Sequence, residues 1–305
     1  ALQAFATFEA LSEAMVAKGH GSGWRQWPEP YRDVRSKEVK AFAEANGPAI
    51  AFHAWLQWLA AAQLAEAQRR ARAAGMRIGL YLDMAVGVAS DGMETWLDPE
   101  LVVAGARIGA PPDLFNAQGQ DWGLAPLSPA ILRERNLAPF ERDLEGSMRH
   151  AGAVRIDHAM ALQRLFWIPG PATPAGGGYI RYPFEEMLAK LADVSHATEA
   201  IVIGEDLGTV PKGFRERMAE AEVQSYRLML FERDQNGAYL PHDAYPKQAL
   251  ACLATHDLPA FAGWWIGHDI DLRSRAGLIT PEVEARSRAE RRDERCSKHW
   301  SRRSF

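Results

Sequence analysis

Three short, mainly apolar runs of the chain lead into a carboxylate: Ala153-Val154-Arg155-Ile156-Asp157, Ala200-Ile201-Val202-Ile203-Gly204-Glu205 and Ala251-Cys252-Leu253-Ala254-Thr255-His256-Asp257. Runs of this kind, bounded by polar residues, read as buried strands, so each acid sits where a strand meets its loop. Arg155 and Asp157 fall on one face of such a strand, because side chains alternate with period two. A guanidinium at that distance favours the ionised carboxylate, which can attack an anomeric carbon and form a covalent glycosyl intermediate. A structural Arg–Asp pair explains the same spacing. Glu205 ends a fully apolar run, where desolvation raises the pKa of a carboxyl and suits it to deliver a proton near neutral pH. A helix-capping or metal-binding carboxylate is its alternative, with Asp206 available for capping instead. Asp257, beside His256, can grip sugar hydroxyls as the ring flattens towards an oxocarbenium-like state. A structural His–Asp pair is the alternative there. Singly these signals are weak; three acids at three strand ends form a constellation suited to glycoside chemistry.

Other chemistries lack their residues. No Gly-x-Ser-x-Gly elbow supports a Ser-His-Asp triad. No His-x-x-x-His or cysteine cluster supports a metal, and no glycine-rich phosphate loop follows a strand.

The elements that must carry the acids follow from periodicity. Ile78–Asp83 and Ser225–Leu230 resemble the three runs, and helical patterns such as Phe184–Ala192 and Gly213–Ala221 lie between. Short buried strands alternating with helices imply parallel βα units. Functional groups at strand C-termini fit the loop face of a (β/α)8 barrel, and without a phosphate loop the barrel is preferred to an open doubly wound sheet. A long amphipathic helix is expected over Pro48–Ala74, stopped by Gly75, its Phe52, Trp55, Leu56 and Leu59 stripe packing into a core. Gly176-Gly177-Gly178 reads as a flexible turn.

At 305 residues, 47% hydrophobic and 24% charged, the chain has the composition of a globular protein with a sizeable core. A net charge of -4 argues against a general nucleic-acid binder. Two cysteines, Cys252 and Cys296, are too few for a disulfide framework and read as a buried thiol and a tail thiol. Without a membrane-length apolar run or an opening signal peptide, the cytoplasm is the expected location.

Further motifs carry a resemblance. Gly109-Ala110-Pro111-Pro112-Asp113 and Gly119-Gln120-Asp121-Trp122-Gly123-Leu124 resemble the amylomaltase family, the disproportionating 4-alpha-glucanotransferases. So do Arg155-Ile156-Asp157-His158, Ile203-Gly204-Glu205-Asp206-Leu207-Gly208-Thr209-Val210-Pro211 and Ala254-Thr255-His256-Asp257-Leu258-Pro259. The likeness extends over residues 3 to 290. It implies a catalytic (β/α)8 TIM barrel with inserted subdomains and a retaining double displacement on maltooligosaccharides, with no metal or organic cofactor. Asp157 then matches the nucleophile, Glu205 the acid/base and Asp257 the transition-state stabiliser. Arg155, His158 and His256 match sugar contacts, Asp113, Gln120 and Trp122 the loop lining the glucan groove, and Asp83 a carboxylate ending the third strand. Packing is an equal use for Trp122. Retention predicts acids about 5–5.5 Å apart.

The same resemblance implies an incomplete barrel, with strands like the family's third to seventh. Residues 1–75 are expected to form a helical insertion and lead-in helix, 76–272 the barrel core with a loop insertion near 98–147, and 273–305 a helix and a non-native tail from Ser297. An incomplete barrel exposes strand edges, so little or no activity is expected of this polypeptide alone. Two other readings remain: an α-glucan hydrolase, and a non-catalytic glucan-binding remnant. A nucleic-acid role ranks last: from Arg286 to Phe305 eight Lys/Arg stand against three Asp/Glu, but no basic patch lies elsewhere.

Overall fold

The computed structural model describes residues 2–112 and 118–296. The chain divides after Glu205 into two compact units.

The first unit opens on α1 (Leu2–Ala17), α2 (Lys37–Ala45) and α3 (Gly47–Ala73). Ser36 caps α2 by accepting the Val39 N–H at 3.1 Å, supplying one of the partners that a helix start lacks. Phe8 and Met15 of α1 pack with Trp27, Val39 and Trp96 in one buried cluster. The rings of Phe8, Trp27 and Trp96 have centroids 5.1 to 5.9 Å apart. Ala6 and Ala10 allow α3 to approach closely through Ile50.

Helix α3 stops as expected, with Gly75 in the left-handed region at φ 92° and its N–H donating to Arg72 O at 3.0 Å. Its aromatic stripe is not core, however. Only Ile50 and His53 of α3 are buried, whereas Phe52, Trp55 and Trp58 are 51%, 49% and 62% exposed. The small face of α1 covers one side of α3 and leaves the wider apolar stripe open.

Strand β1 (Tyr81–Met84) follows, then β2 (Val88–Ala89), α4 (Met93–Leu97), β3 (Ala106–Ala110), β4 (Gln120–Asp121) and β5 (Leu124–Ala125). Next come α5 (Pro129–Glu134), α6 (Ala138–Met148), β6 (Ala153–Ile156), β7 (Arg164–Pro169), β8 (Gly178–Arg181), α7 (Phe184–Thr198) and β9 (Ile201–Gly204). Strands β1 and β9 flank β6 in parallel, pairing Asp83 with Arg155 and Ile156 with Gly204. All four residues of β6 are buried, as befits a central strand between two neighbours.

A second, antiparallel sheet in the order β4-β3-β7-β8 was not expected from sequence. Strand β8 begins at Gly178, so the last glycine of the expected turn belongs to a strand. Gly109 in β3 serves a close approach: a Cβ there would lie 2.0 Å from Gln120 O of β4.

The second unit holds α8 (Phe214–Glu220), β10 (Gln224–Leu228), β11 (Ala249–Cys252), α9 (Phe261–Ile266), α10 (His268–Arg275) and α11 (Pro281–Cys296). Strands β10 and β11 are parallel, with Ser225 opposite Ala249. Leu230, Tyr239 and Trp264 form its small core. The expected parallel βα organisation is therefore present in both units. Among the described residues it supplies three parallel strands to the first and two to the second, short of the eight that close a (β/α)8 barrel. The free thiol Cys252 is half-buried rather than fully buried.

Candidate active site

Adjacent parallel strands bring Asp157 and Glu205 to one edge. The ladder continues one residue past each strand: Asp157 N–H donates to Met84 O, and Glu205 N–H to Ile156 O, both at 3.0 Å. Each acid thus leaves its strand at the C-terminal end, held by backbone hydrogen bonds rather than by a free loop.

Arg155 is the charge at the centre. Its side chain is buried, and Nη1 lies 2.9 Å from both carboxylate oxygens of Asp83 and 2.8 Å from Oδ1 of Asp157. Asp83 faces Arg155 directly in register, so strand pairing itself builds this contact. Burial works against the guanidinium charge, but hydrogen bonds donated to Asp83 and the fields of Asp157, Asp83 and Glu205 outweigh it and bind the proton more firmly than usual. The sequence reading anticipated the Arg155–Asp157 pair; Asp83 as a second carboxylate on one guanidinium came from the fold.

Glu205 is buried, and its Oε2 accepts the backbone N–H of His158 at 2.9 Å. His158 itself adopts the left-handed conformation, φ 47° and ψ 59°, which is uncommon outside glycine. Its ring meets Trp122 edge-on, with centroids 5.2 Å apart. Burial, with the Arg164 charge nearby, pushes the imidazole pKa down to about 4, so the ring is neutral above that pH.

Trp122 sits in the short turn after β4, where its indole N–H donates to Gln120 Oε1 at 3.0 Å. Gln120, Trp122, His158, Arg155, Asp83, Asp157 and Glu205 all belong to the first unit. Asp113, expected in the same loop, lies outside the described residues.

His256 and Asp257 belong to the second unit, and here the strand end differs from expectation. Strand β11 stops at Cys252, where Met229 N–H donates to Cys252 O, and the pair rides on the following loop. His256 Nε2 lies 3.5 Å from Asp257 Oδ2, and both side chains are 68% exposed.

Asp206 is not a helix cap. Its buried carboxylate accepts Arg215 Nε at 2.7 Å, Ser225 Oγ at 2.7 Å and Tyr226 N–H at 3.1 Å, tying β10 to the loop before α8. A cavity of about 390 Å³ beside Asp157, walled by Met84, Val86, Leu132, Phe140 and Leu165, also went unforeseen. Met84 of β1 and Ile156 of β6 line it together with Asp157. Asp143 is exposed on one side, but desolvation by the cavity walls, with Glu94 adding and Arg142 opposing, raises its carboxyl to about 6. No spacing signal marks Asp143, which lies within an ordinary helix. Among the described residues no cluster of three or more His, Cys, Asp or Glu could hold a metal ion.

The chain as a whole is similar to known proteins. The family model for 4-alpha-glucanotransferase matches residues 1–303, a span that includes the tail segment from Ser297 to Arg303. The chain is 39% identical over 297 residues to the 4-alpha-glucanotransferase of Mycobacterium bovis, covering 96% of this chain and 40% of that one. It is 39% identical over 261 residues to that of Haemophilus influenzae, covering 86% and 37%. The crystal structure of amylomaltase from Corynebacterium glutamicum superposes with a TM-score of 0.80 at 33% identity, covering 95% of this chain and 38% of that chain. The chain thus spans about 40% of the length of the curated relatives it matches. With nearly its whole length matched by the family model, this chain belongs to the 4-alpha-glucanotransferase family.

Proposed function

We propose that the chain carries the nucleophile and the acid/base of a retaining 4-alpha-glucanotransferase, which moves α-1,4-glucan segments between maltooligosaccharides. The observation that supports this most is the pairing of an arginine-bound Asp157 with a buried, amide-bound Glu205 at the ends of adjacent parallel strands. Asp157 attacks the anomeric carbon while the bond to the leaving 4-oxygen breaks, and Glu205 gives that oxygen its proton. The 4-hydroxyl of a second glucan then attacks the same carbon. Its proton passes to Glu205, the bond to Asp157 breaks, and the configuration is retained. Arg155 pairs with Asp157 and aims it, with Asp83 fixing the guanidinium. Asp257 and His256 are assigned to the sugar hydroxyls, and Gln120 and Trp122 to the groove rim. Under this reading maltose-series sugars and the glucans of starch and glycogen are the substrates, in the cytoplasm.

Incubating the chain with maltotriose and separating the products discriminates the readings. Transfer, however slow, yields glucose together with chains longer than maltotriose, and Asp157→Asn and Glu205→Gln remove both. Glucose with maltose and no longer chains replaces transfer by hydrolysis. Absence of any product, with maltoheptaose binding unaffected by Asp157→Asn, replaces both by a glucan-binding role.

A further inference from the structure

The four residues Ile156–Ala159 hold Glu205 at three points. Ile156 O accepts the Glu205 N–H at 3.0 Å, Ala159 N–H donates to Glu205 O at 2.8 Å, and His158 N–H donates to Glu205 Oε2 at 2.9 Å. The first two bonds fix the Glu205 backbone, and the third fixes its carboxylate. Asp157 lies within the same turn, so the turn that presents the nucleophile also grips the acid/base.

The third bond depends on an unusual backbone. His158 aims its N–H at Glu205 from the left-handed region, which residues other than glycine seldom adopt. Two contacts hold it there. The ring lies edge-on against Trp122 at 5.2 Å with planes 74° apart, and the next residues close a tight turn through Ala161 N–H to His158 O at 2.8 Å. We infer that His158 is a positioning residue for Glu205, acting through its backbone amide and locked by the Trp122 ring. The inference rests on the acid/base reading of Glu205 and assigns His158 a task other than sugar contact.

The chemical consequence concerns which oxygen carries the proton. An amide donor on Oε2 persists whether or not the carboxyl is protonated, so the proton is carried by Oε1. It is then delivered from one fixed direction, as near-attack geometry requires. The amide also favours the charged form, opposing the desolvation that burial imposes. Asp157, Arg155 and Asp83 are charged groups on this edge, Arg164 bears on the His158 ring, and that ring is neutral above a pH of about 4.

The test is an NMR titration of the 305-residue chain without substrate, following the His158 amide and the Glu205 side-chain carboxyl carbon. The His158 amide proton is expected to shift with the same midpoint as the Glu205 carboxyl, and Glu205→Gln is expected to abolish that shift. His158→Gly, which reaches the left-handed region without strain, retains the Glu205 midpoint. His158→Val, which does not, raises it by on the order of one pH unit. Trp122→Ala raises it in the same sense, and Trp122→Phe restores it. An amide indifferent to Glu205 titration, or a midpoint equal in all four variants, overturns the inference. Because no sugar is present, that outcome is separate from failure of the transfer reading, which the maltotriose products decide.

Discussion

Arg155 pairs with two carboxylates from a buried position, and removing it takes that cation from both. Arg155→Met keeps most of the side-chain volume and deletes the charge. Asp83 and Asp157 are partly reached by solvent, so the loss is below that of a sealed ion pair: about 1–3 kcal/mol, read from urea unfolding. An unchanged midpoint would show that the pair is ornamental. Under the proposed reading, Glu205→Gln keeps the shape and the His158 contact but cannot donate a proton to the leaving oxygen, so any transfer falls by about 10²–10⁴, measured as longer chains formed from maltotriose. The placing of both acids at strand ends was legible in the sequence, because an apolar run ending in a carboxylate is a local pattern. Asp206 was not: its partners Arg215 and Ser225 are brought to it by the fold of β10, and adjacency to Glu205 alone suggested a cap. Nor was the left-handed backbone of His158, whose partner lies 47 positions further on.

At the scale of elements, the parallel strands were readable and the antiparallel sheet was not. Strands β6 and β9 have the apolar density of strands meant for burial and lie within the expected runs. Strand β1, by contrast, begins three residues after Ile78 and none of its four residues is buried, because it is paired on one side only within its unit. Strand β3 carries Arg107 and Gly109 in its middle, which masks it as a loop. Its glycine is a geometric necessity, since a Cβ at position 109 would also come within 2.7 Å of Ile168 Cδ1. Gly109→Ala therefore forces β3 from β4 and displaces the turn bearing Trp122, with a loss of about 1–3 kcal/mol and a change in near-ultraviolet circular dichroism. Helix α3 shows the opposite lesson. Its helical period was plain, but which side of the stripe meets α1 depended on Ala6 and Ala10, small residues that periodicity weighs lightly.

Over the whole molecule, stability should depend on pH through two groups of opposite sign. His158 has a folded pKa of about 4 against an ordinary 6.5, so protonation favours the unfolded chain and stability falls as pH drops from about 6.5 towards 4. Asp143 has a folded pKa of about 6 against 3.8, so its charge opposes folding above about 6 and the opposition fades as pH falls towards 3.8. Asp143→Asn is accordingly expected to raise the melting temperature at pH 8 and to change it little at pH 4; a gain equal at both would contradict the assignment. The central claim is that Asp157 attacks the anomeric carbon, and covalent trapping tests it most directly. A 5-fluoro-α-glucosyl fluoride has an activated leaving group that needs little acid assistance, so labelling isolates the nucleophile even where turnover is slow. Digestion and mass spectrometry of the treated chain are predicted to find one glucosyl adduct on Asp157 and none in Asp157→Asn. An adduct on another carboxylate, or labelling undiminished in Asp157→Asn, would contradict the account.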